Sequence, residues 1–116
     1  MAETNQGEIN GIWSITMGTQ LYTIPLKPKY ILKQQFPLEV VQYWDGNYVI
    51  FCPAFDEYGY GNDFYSALLD LGSSIVDFWK SLRKLIKREK NLSIGLRRVL
   101  NLMEEVIIEK RGIICH

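Results

Sequence analysis

Between Phe64 and Leu85 the residues Phe64, Leu68, Leu71, Ile75, Phe78, Leu82 and Leu85 recur at intervals of 4, 3, 4, 3, 4 and 3. In water such a run has one good solution, an α-helix with a continuous apolar stripe that some other element must cover. Asp63 stands before the run as an N-cap candidate, and the polar stretch Arg88-Glu89-Lys90-Asn91 ends it. The spacing therefore predicts a helix of about 25 residues. Gly72-Ser73-Ser74 falls in its middle, where the glycine costs about 1 kcal/mol relative to Ala. That glycine either admits the close approach of a sheet or partner helix or is simply tolerated.

The cover has to come from strands upstream. "LEVVQYW" (38–44) and "YVIFC" (48–52) flank Asp45-Gly46-Asn47, the strongest local hairpin signal in the chain. The second of these strands is apolar on both alternating faces, so both sides of the sheet are expected to be covered there. One helix covers one side; the N-terminal hairpin, the last helix or another subunit is needed for the other. Pro53 ends the strand, and "EYGYG" (57–61) is a short third strand or extended edge.

Further upstream, "IWSITMGTQLYTI" (12–24) places Gly18 between two β-favouring runs and reads as a hairpin. Pro25, Pro28 and Pro37 then break the chain and leave "KYILK" (29–33) as a short extended piece. After Asn91 a second helix is predicted from about 93 to 110, with Leu96, Val99, Leu100, Met103, Val106 and Ile107 on one face. Gly112 is its natural stop, and "IICH" (113–116) is a tail or a short final strand. The expected fold class is α+β: an antiparallel sheet of three to five strands, one long helix packed on it and a second, C-terminal helix. One domain is expected over 1–116, divided into an N-terminal hairpin extension (1–37), a core (38–90) and a C-terminal helix with its tail (91–116). Val41, Val49, Phe51, Leu68, Leu71, Ile75 and Phe78 are the expected core.

Length and composition agree with a single core that needs no disulfide or metal, since 47% of the 116 residues are hydrophobic. No apolar run approaches the roughly 18 residues of a membrane span. The first residues, "MAETNQGEING", have no signal-peptide core. Cys52 and Cys115 make no disulfide framework, which places the chain in a reducing cytoplasm. The net charge is zero, yet residues 1–79 sum to −6 (three Lys, nine acids) and residues 80–116 to +6 (ten Lys/Arg, four Glu). That polarity offers surfaces to partners of opposite charge, or simply complements a helix dipole.

The residues do not assemble into catalytic chemistry. A two-metal nuclease needs converging carboxylates, and the central strand offers only Glu39 at its start. Asp56 and Glu57 lie beyond the next strand, and Asp63 is better used as a cap. His116, the single histidine, adjoins Cys115 without further ligands at zinc spacing. Cys52 sits inside an apolar strand and reads as core. No glycine motif would cradle a phosphate. The expectation is a non-enzyme with no cofactor and no metal.

Two surfaces remain as binding candidates. Asp56, Glu57, Tyr58 and Tyr60 form an acidic-aromatic edge suited to a basic protein partner. The plainer reading is that the tyrosines only pack on the start of the helix. Lys80, Arg83, Lys84, Lys87 and Arg88 lie at helical spacing, with Lys90, Arg97 and Arg98 after the break. Of these Lys84, Lys87, Arg88, Arg97 and Arg98 are the candidates for nucleic acid, a secondary reading because no aromatics are interleaved with them.

The hairpin "LEVVQYWDGNYVIFCP", the strand "YGYG" and the run Gly61-Asn62-Asp63-Phe64-Tyr65-Ser66-Ala67 carry a resemblance. From about Leu38 to Leu82 the chain resembles the HicB-like antitoxin family, in which a G-x-[TS]-x-x-x-A signature opens the helix. Here Asp63 stands at the Thr/Ser cap, Tyr65-Ser66 stands for Glu-Glu, and no ribbon strand precedes the helix after residue 90. The resemblance implies a β-β-β-α module likened to a degenerate RNase H-like fold. It also implies a small RNA-cleaving toxin of the HicA type as partner, and homodimers or tetramers.

Helix length independently predicts a homodimer. A helix of about 25 residues spans about 37 Å, whereas a five-residue strand spans about 17 Å. The far half, with Phe78, Trp79, Leu82, Leu85 and Ile86, must find other cover. The face of Leu96, Val99, Leu100 and Met103 offers it, within the chain or across a dimer. The expected interface is formed by the two C-terminal helical segments.

Overall fold

A computed structural model describes residues 5–9, 12–89 and 91–110, with side chains described from Thr19 onward. The chain runs β1 (Asn5–Ile9), β2 (Ile12–Tyr22), β3 (Tyr30–Leu32), β4 (Phe36–Tyr43), β5 (Tyr48–Cys52), β6 (Glu57–Gly61), α1 (Phe64–Arg88), α2 (Ile94–Val106) and β7 (Ile107–Glu109). Five strands form an antiparallel sheet in the order β1-β2-β4-β5-β6. A second sheet pairs β3 with β7. The architecture is α+β, with α1 laid chiefly on β6 and β5.

The β4–β5 turn forms as its sequence dictates. Gly46 takes a φ of 91°, its N–H donates to the Tyr43 carbonyl at 2.9 Å, and the Tyr43 N–H donates to the Asn47 carbonyl at 2.8 Å. Asp45 tightens the corner by accepting the Asn47 amide through Oδ1 at 3.0 Å. That is a tight turn followed by a glycine in the left-handed region, a geometry matched to strand twist. Tyr48, Ile50 and Cys52 then point to the helix side, and Val49 and Phe51 to the other.

Asp63 caps α1, accepting the Ser66 amide at 2.7 Å. That hydrogen bond favours the ionised carboxylate and holds its pKa below the usual value. The contribution is present above the unfolded pKa and is lost as pH falls through the lowered folded one. Asp63→Ala should lower the thermal midpoint by a few degrees near neutral pH. The difference from wild type should shrink on acidification, as read by circular dichroism melts from pH 7 down to pH 3.

Gly72 settles the purpose of the mid-helix glycine. A Cβ there would collide with the carbonyl oxygen of Pro25, so the glycine lets the Pro25-Leu26 backbone lie directly on α1. Ile24 and Leu26 enter the core at that point. Around them this core includes Leu38, Val40, Ile50, Cys52 and Phe55 against Ala67, Leu68, Leu71 and Ile75.

Several expectations are corrected. Residues 12–24 are not a hairpin about Gly18; β2 runs unbroken to Tyr22 and pairs with both β1 and β4. Gly18 instead sits where the register slips, two β2 residues (Met17 and Gly18) opposing Val40 between the pairs Thr16–Val41 and Thr19–Glu39. Such a one-residue bulge is a common place for a strand glycine. The second helix stops at Val106, and Ile107–Glu109 pairs with β3, because Val106-Ile107-Ile108 is a β-branched run. Gly112 and "IICH" lie outside the described residues.

Val41, Val49 and Phe51, expected in the core, are only half-buried, and Phe78 packs at the core's margin. Leu68, Leu71 and Ile75 are buried as expected. Parity explains the strand error, because β5 is apolar on both faces and does not itself say which one the helix takes. Gly59 and Gly61 decide it. A Cβ on Gly59 would meet the Ala67 carbonyl and Leu71, and one on Gly61 would meet the Ala67 amide. Only the glycine face of β6 admits the helix, and by register that face continues through Ile50 and Tyr48.

The far half of α1 is covered within the chain. Trp79 is 5% exposed, with the Tyr30 ring edge-on at 5.2 Å and the Arg83 guanidinium 4.8 Å above it. Leu82 (3%) and Leu100 (5%) are core residues beside Met103, Val106 and Ile107. Arg83 also pairs with Glu104 at 3.2 Å and joins α1 to α2 across the surface. Of the helical faces expected to form a dimer interface, Trp79, Leu82, Leu100 and Met103 are therefore covered within the chain, whereas Phe78, Leu85, Leu96 and Val99 are half-buried and Ile86 is exposed.

Candidate functional site

The N-terminal hairpin extends the sheet edgewise, and α2 joins the core on the helix side. The opposite face of the sheet stays open among the described residues. Register places Val41 and Tyr43 of β4, Val49 and Phe51 of β5, and Tyr58 and Tyr60 of β6 on it, with Leu21 of β2 and Glu39 further along. On β6 the alternation of tyrosine and glycine puts Tyr58 and Tyr60 outward and leaves Gly59 and Gly61 bare on the inward side for α1.

Tyr58 and Tyr60 are 46% and 61% exposed and face away from the helix, which removes the reading in which they pack on its start. Phe51 meets Tyr58 at 4.6 Å between ring centres, and Tyr58 stacks on Tyr60 at 6.4 Å. The three rings form a ladder across the paired strands β5 and β6. Aromatic ladders of this kind present large contact area at low entropic cost.

The two acidic candidates sit apart from the tyrosines. Asp56 is exposed in the β5–β6 turn with a φ of 54°, a left-handed conformation that Asp tolerates better than most residues. Its amide donates to the Pro53 carbonyl, and the turn is pinned by Phe55, fully buried against Phe36 at 4.8 Å. Glu57 opens β6, opposite in parity to Tyr58. Partial burial, and secondarily the charge of Asp56, push its carboxyl above the ordinary range. On the outer side of β6 the Tyr60 amide donates to Asp70 Oδ2 at 2.9 Å.

At the other end of the face lies a groove of about 580 Å³, lined by Tyr43, Asp45, Asn47, Val49, Tyr60 and Asn62. Beside it Trp44, 60% exposed, stands at the hairpin tip. Tyr43, Val49, Phe51 and Trp44 are not among the candidates read from sequence. The signal that would have found Tyr43, Val49 and Phe51 is the Tyr-Gly alternation at 57–61, which fixes the parity of the strands paired through β5; Trp44 lies in the turn, outside that parity.

The basic candidates Lys84, Lys87, Arg88, Arg97 and Arg98 are all exposed. Lys87 and Arg88 occupy the last turn of α1, where cations complement the helix dipole. Arg97 and Arg98 are successive residues of α2 and so point about 100° apart around its axis. Lys80 leans over Tyr30 at 5.7 Å, and Arg83 is held by Trp79 and Glu104. Glu104 and Glu105 share α2 with the arginines, so the ridge is of mixed sign there; Lys90 lies outside the described residues.

Cys52 is fully buried, and desolvation raises its thiol pKa, which keeps it neutral and unreactive. Among the described residues no three His, Cys, Asp or Glu side chains are grouped so that they could hold a metal ion. No helix among them is long and apolar enough to cross a membrane. Family models, curated proteins and solved structures were all compared with the chain, and none of them matches it.

Proposed function

We propose that the chain is a non-catalytic protein-binding module of the HicB-like kind, an antitoxin or the relic of one, working in the cytoplasm. Its partner would be a small, basic, RNA-cleaving toxin of the HicA type. The observation that carries this reading is the open face of the sheet with its ladder of Phe51, Tyr58 and Tyr60. Clustered aromatics of this type are where binding energy concentrates in protein interfaces. The order hairpin, short strand, capped helix over Leu38 to Leu82 supports the family resemblance.

Homodimerisation stays part of the proposal, with its seat moved. Leu82 and Leu100 are core residues, and among the described residues no strand lies beside the outer edge of β1, where two copies can pair without covering the tyrosines.

The test is titration of a HicA-type toxin against the chain, with residual RNA cleavage and calorimetric affinity as readouts. Wild type should suppress cleavage, and the double variant Tyr58→Ser, Tyr60→Ser should bind at least ~100-fold more weakly, as expected when two interface anchors are lost. Its circular dichroism should be unchanged, since both side chains are exposed. Lys84→Glu with Lys87→Glu should leave binding intact. Salt-sensitive binding to nucleic acid, lost on Arg97→Ala with Arg98→Ala, together with indifference to the toxin, would replace this reading by the nucleic-acid one.

A further inference from the structure

The groove at the turn end of the open face has a composition that selects its occupant. Its floor is Val49, and its flanks are Tyr43 and Tyr60, which stand on either side of that strand. Asp45 closes it with the amide side chains of Asn47 and Asn62. Among the described residues Asp45 is its single charged lining residue.

The segment that builds the groove carries charge of one sign, and Lys27 approaches only as far as Tyr65 of α1. From residue 34 to residue 79 the sequence has seven carboxylates (Glu39, Asp45, Asp56, Glu57, Asp63, Asp70 and Asp77) and not one Lys, Arg or His. The lysines nearest in sequence, Lys33 and Lys80, lie outside the β4–β5–β6 unit that builds the groove. Among the described lining residues an anion would meet the Asp45 carboxylate and no cationic group. A purely apolar side chain would leave the carboxylate and two amides facing it.

A cation fits all of these features together. The faces of tyrosine rings attract cations, and the carboxylate supplies the counter-charge. Asp45 already accepts from the Asn47 backbone at 3.0 Å and from Asn47 Nδ2 at 2.9 Å, which fixes its orientation. Each carboxylate oxygen has a second lone pair, so both can still accept from outside. Guanidinium is the better match than ammonium, being planar for stacking on tyrosine and forked for two carboxylate oxygens.

We propose that this groove is the seat of an arginine side chain, presented by a short basic segment of the protein partner. The volume exceeds that of one side chain and leaves room for the residues on either side of the arginine. The inference rests on the reading of the sheet face as a partner surface and adds the chemistry of the anchor. Phe51 and Tyr58 then supply the apolar half of the footprint, and the groove supplies its orientation.

The experiment uses the full chain and two nonapeptides of Gly and Ser, one with a central arginine and one with citrulline, which has the same shape without the charge. In ¹⁵N-resolved NMR titrations the arginine peptide should shift resonances of Tyr43–Val49 and Tyr60–Asn62. The citrulline peptide should bind about tenfold more weakly, the size of effect that one charge-assisted hydrogen-bond pair provides. Asp45→Asn retains the side-chain acceptor needed for the turn and should reduce arginine binding to the citrulline level. Equal binding of the two peptides, shifts elsewhere, or no binding by either would overturn the proposal. If the toxin still binds through Tyr58 and Tyr60 in that case, the partner-face reading survives and only the arginine seat is lost. If neither binds, both fall.

Discussion

Trp79→Ala should lower the unfolding free energy by about 3–5 kcal/mol, the range for removing a buried aromatic side chain. A domain of this size has a total of about 5–15 kcal/mol, so the variant should be near its limit at 37 °C. Trp79 joins two elements: it lies on α1, where Arg83 covers it from outside, and Tyr30 of β3 meets it edge-on at 5.2 Å. Its loss would open the seam where the small sheet and α2 meet the long helix. Urea denaturation followed by far-ultraviolet circular dichroism reads the effect directly. Trp79→Phe is the informative companion. The indole Nε1 is buried with no hydrogen-bond partner among the described residues, so Phe keeps much of the ring packing and removes an unsatisfied donor. Its cost should be less than half that of Ala. A loss below about 1 kcal/mol for Trp79→Ala, the scale of an ordinary surface change, would mean that this region is not packed as described.

The second large effect comes from adding a single carbon. Gly59→Ala should cost about 3 kcal/mol, at the upper end of the usual overpacking range. The new Cβ would have to share space with the Ala67 carbonyl and with the backbone and Cβ of Leu71. None of these is the far end of a flexible side chain, so the helix itself has to lift from β6. Gly46→Ala provides the contrast. No atom crowds that position, so whatever it loses reports only the φ of 91°. Differential scanning calorimetry on the pair separates crowding from backbone strain. A Gly59→Ala variant melting with wild type would show that α1 does not rest on the glycine face.

Much of the architecture was legible because local chemistry and tertiary structure agree. The 4-3 spacing gave α1, and its observed bounds, Phe64–Arg88, follow from Asp63 and the polar break. The hairpin followed from Asp45-Gly46-Asn47, and the third strand from Pro53 and the alternation after it. What failed depended on information outside the segment read. Gly18 resembles a turn until β4 is known to run beside it, at which point it is a bulge. Ile107–Glu109 resembles the end of a helix until β3 offers a partner. Half of the candidate site was legible in the same way. Tyr58 and Tyr60 were visible as a pair, but their direction depended on a contact between Gly59 and a helix beginning five residues later. With that parity reversed, Val49 and Phe51 were assigned to the core when they belong to the open face.

The hydrogen bond from the Tyr60 amide to Asp70 has a consequence for how this protein can and cannot assemble. Endless stacking of sheets into a fibre requires each molecule to offer two receptive margins, one to donate and one to accept the next copy. On the β6 margin an outward amide is already engaged, and the group engaging it is a carboxylate that repels an incoming backbone carbonyl. In the proposed dimer, pairing is thereby directed to the β1 margin, where two copies meeting head to head would use up both of their receptive sides, and growth would end at two. A single aspartate on a helix, read this way, turns an aggregation hazard into a count.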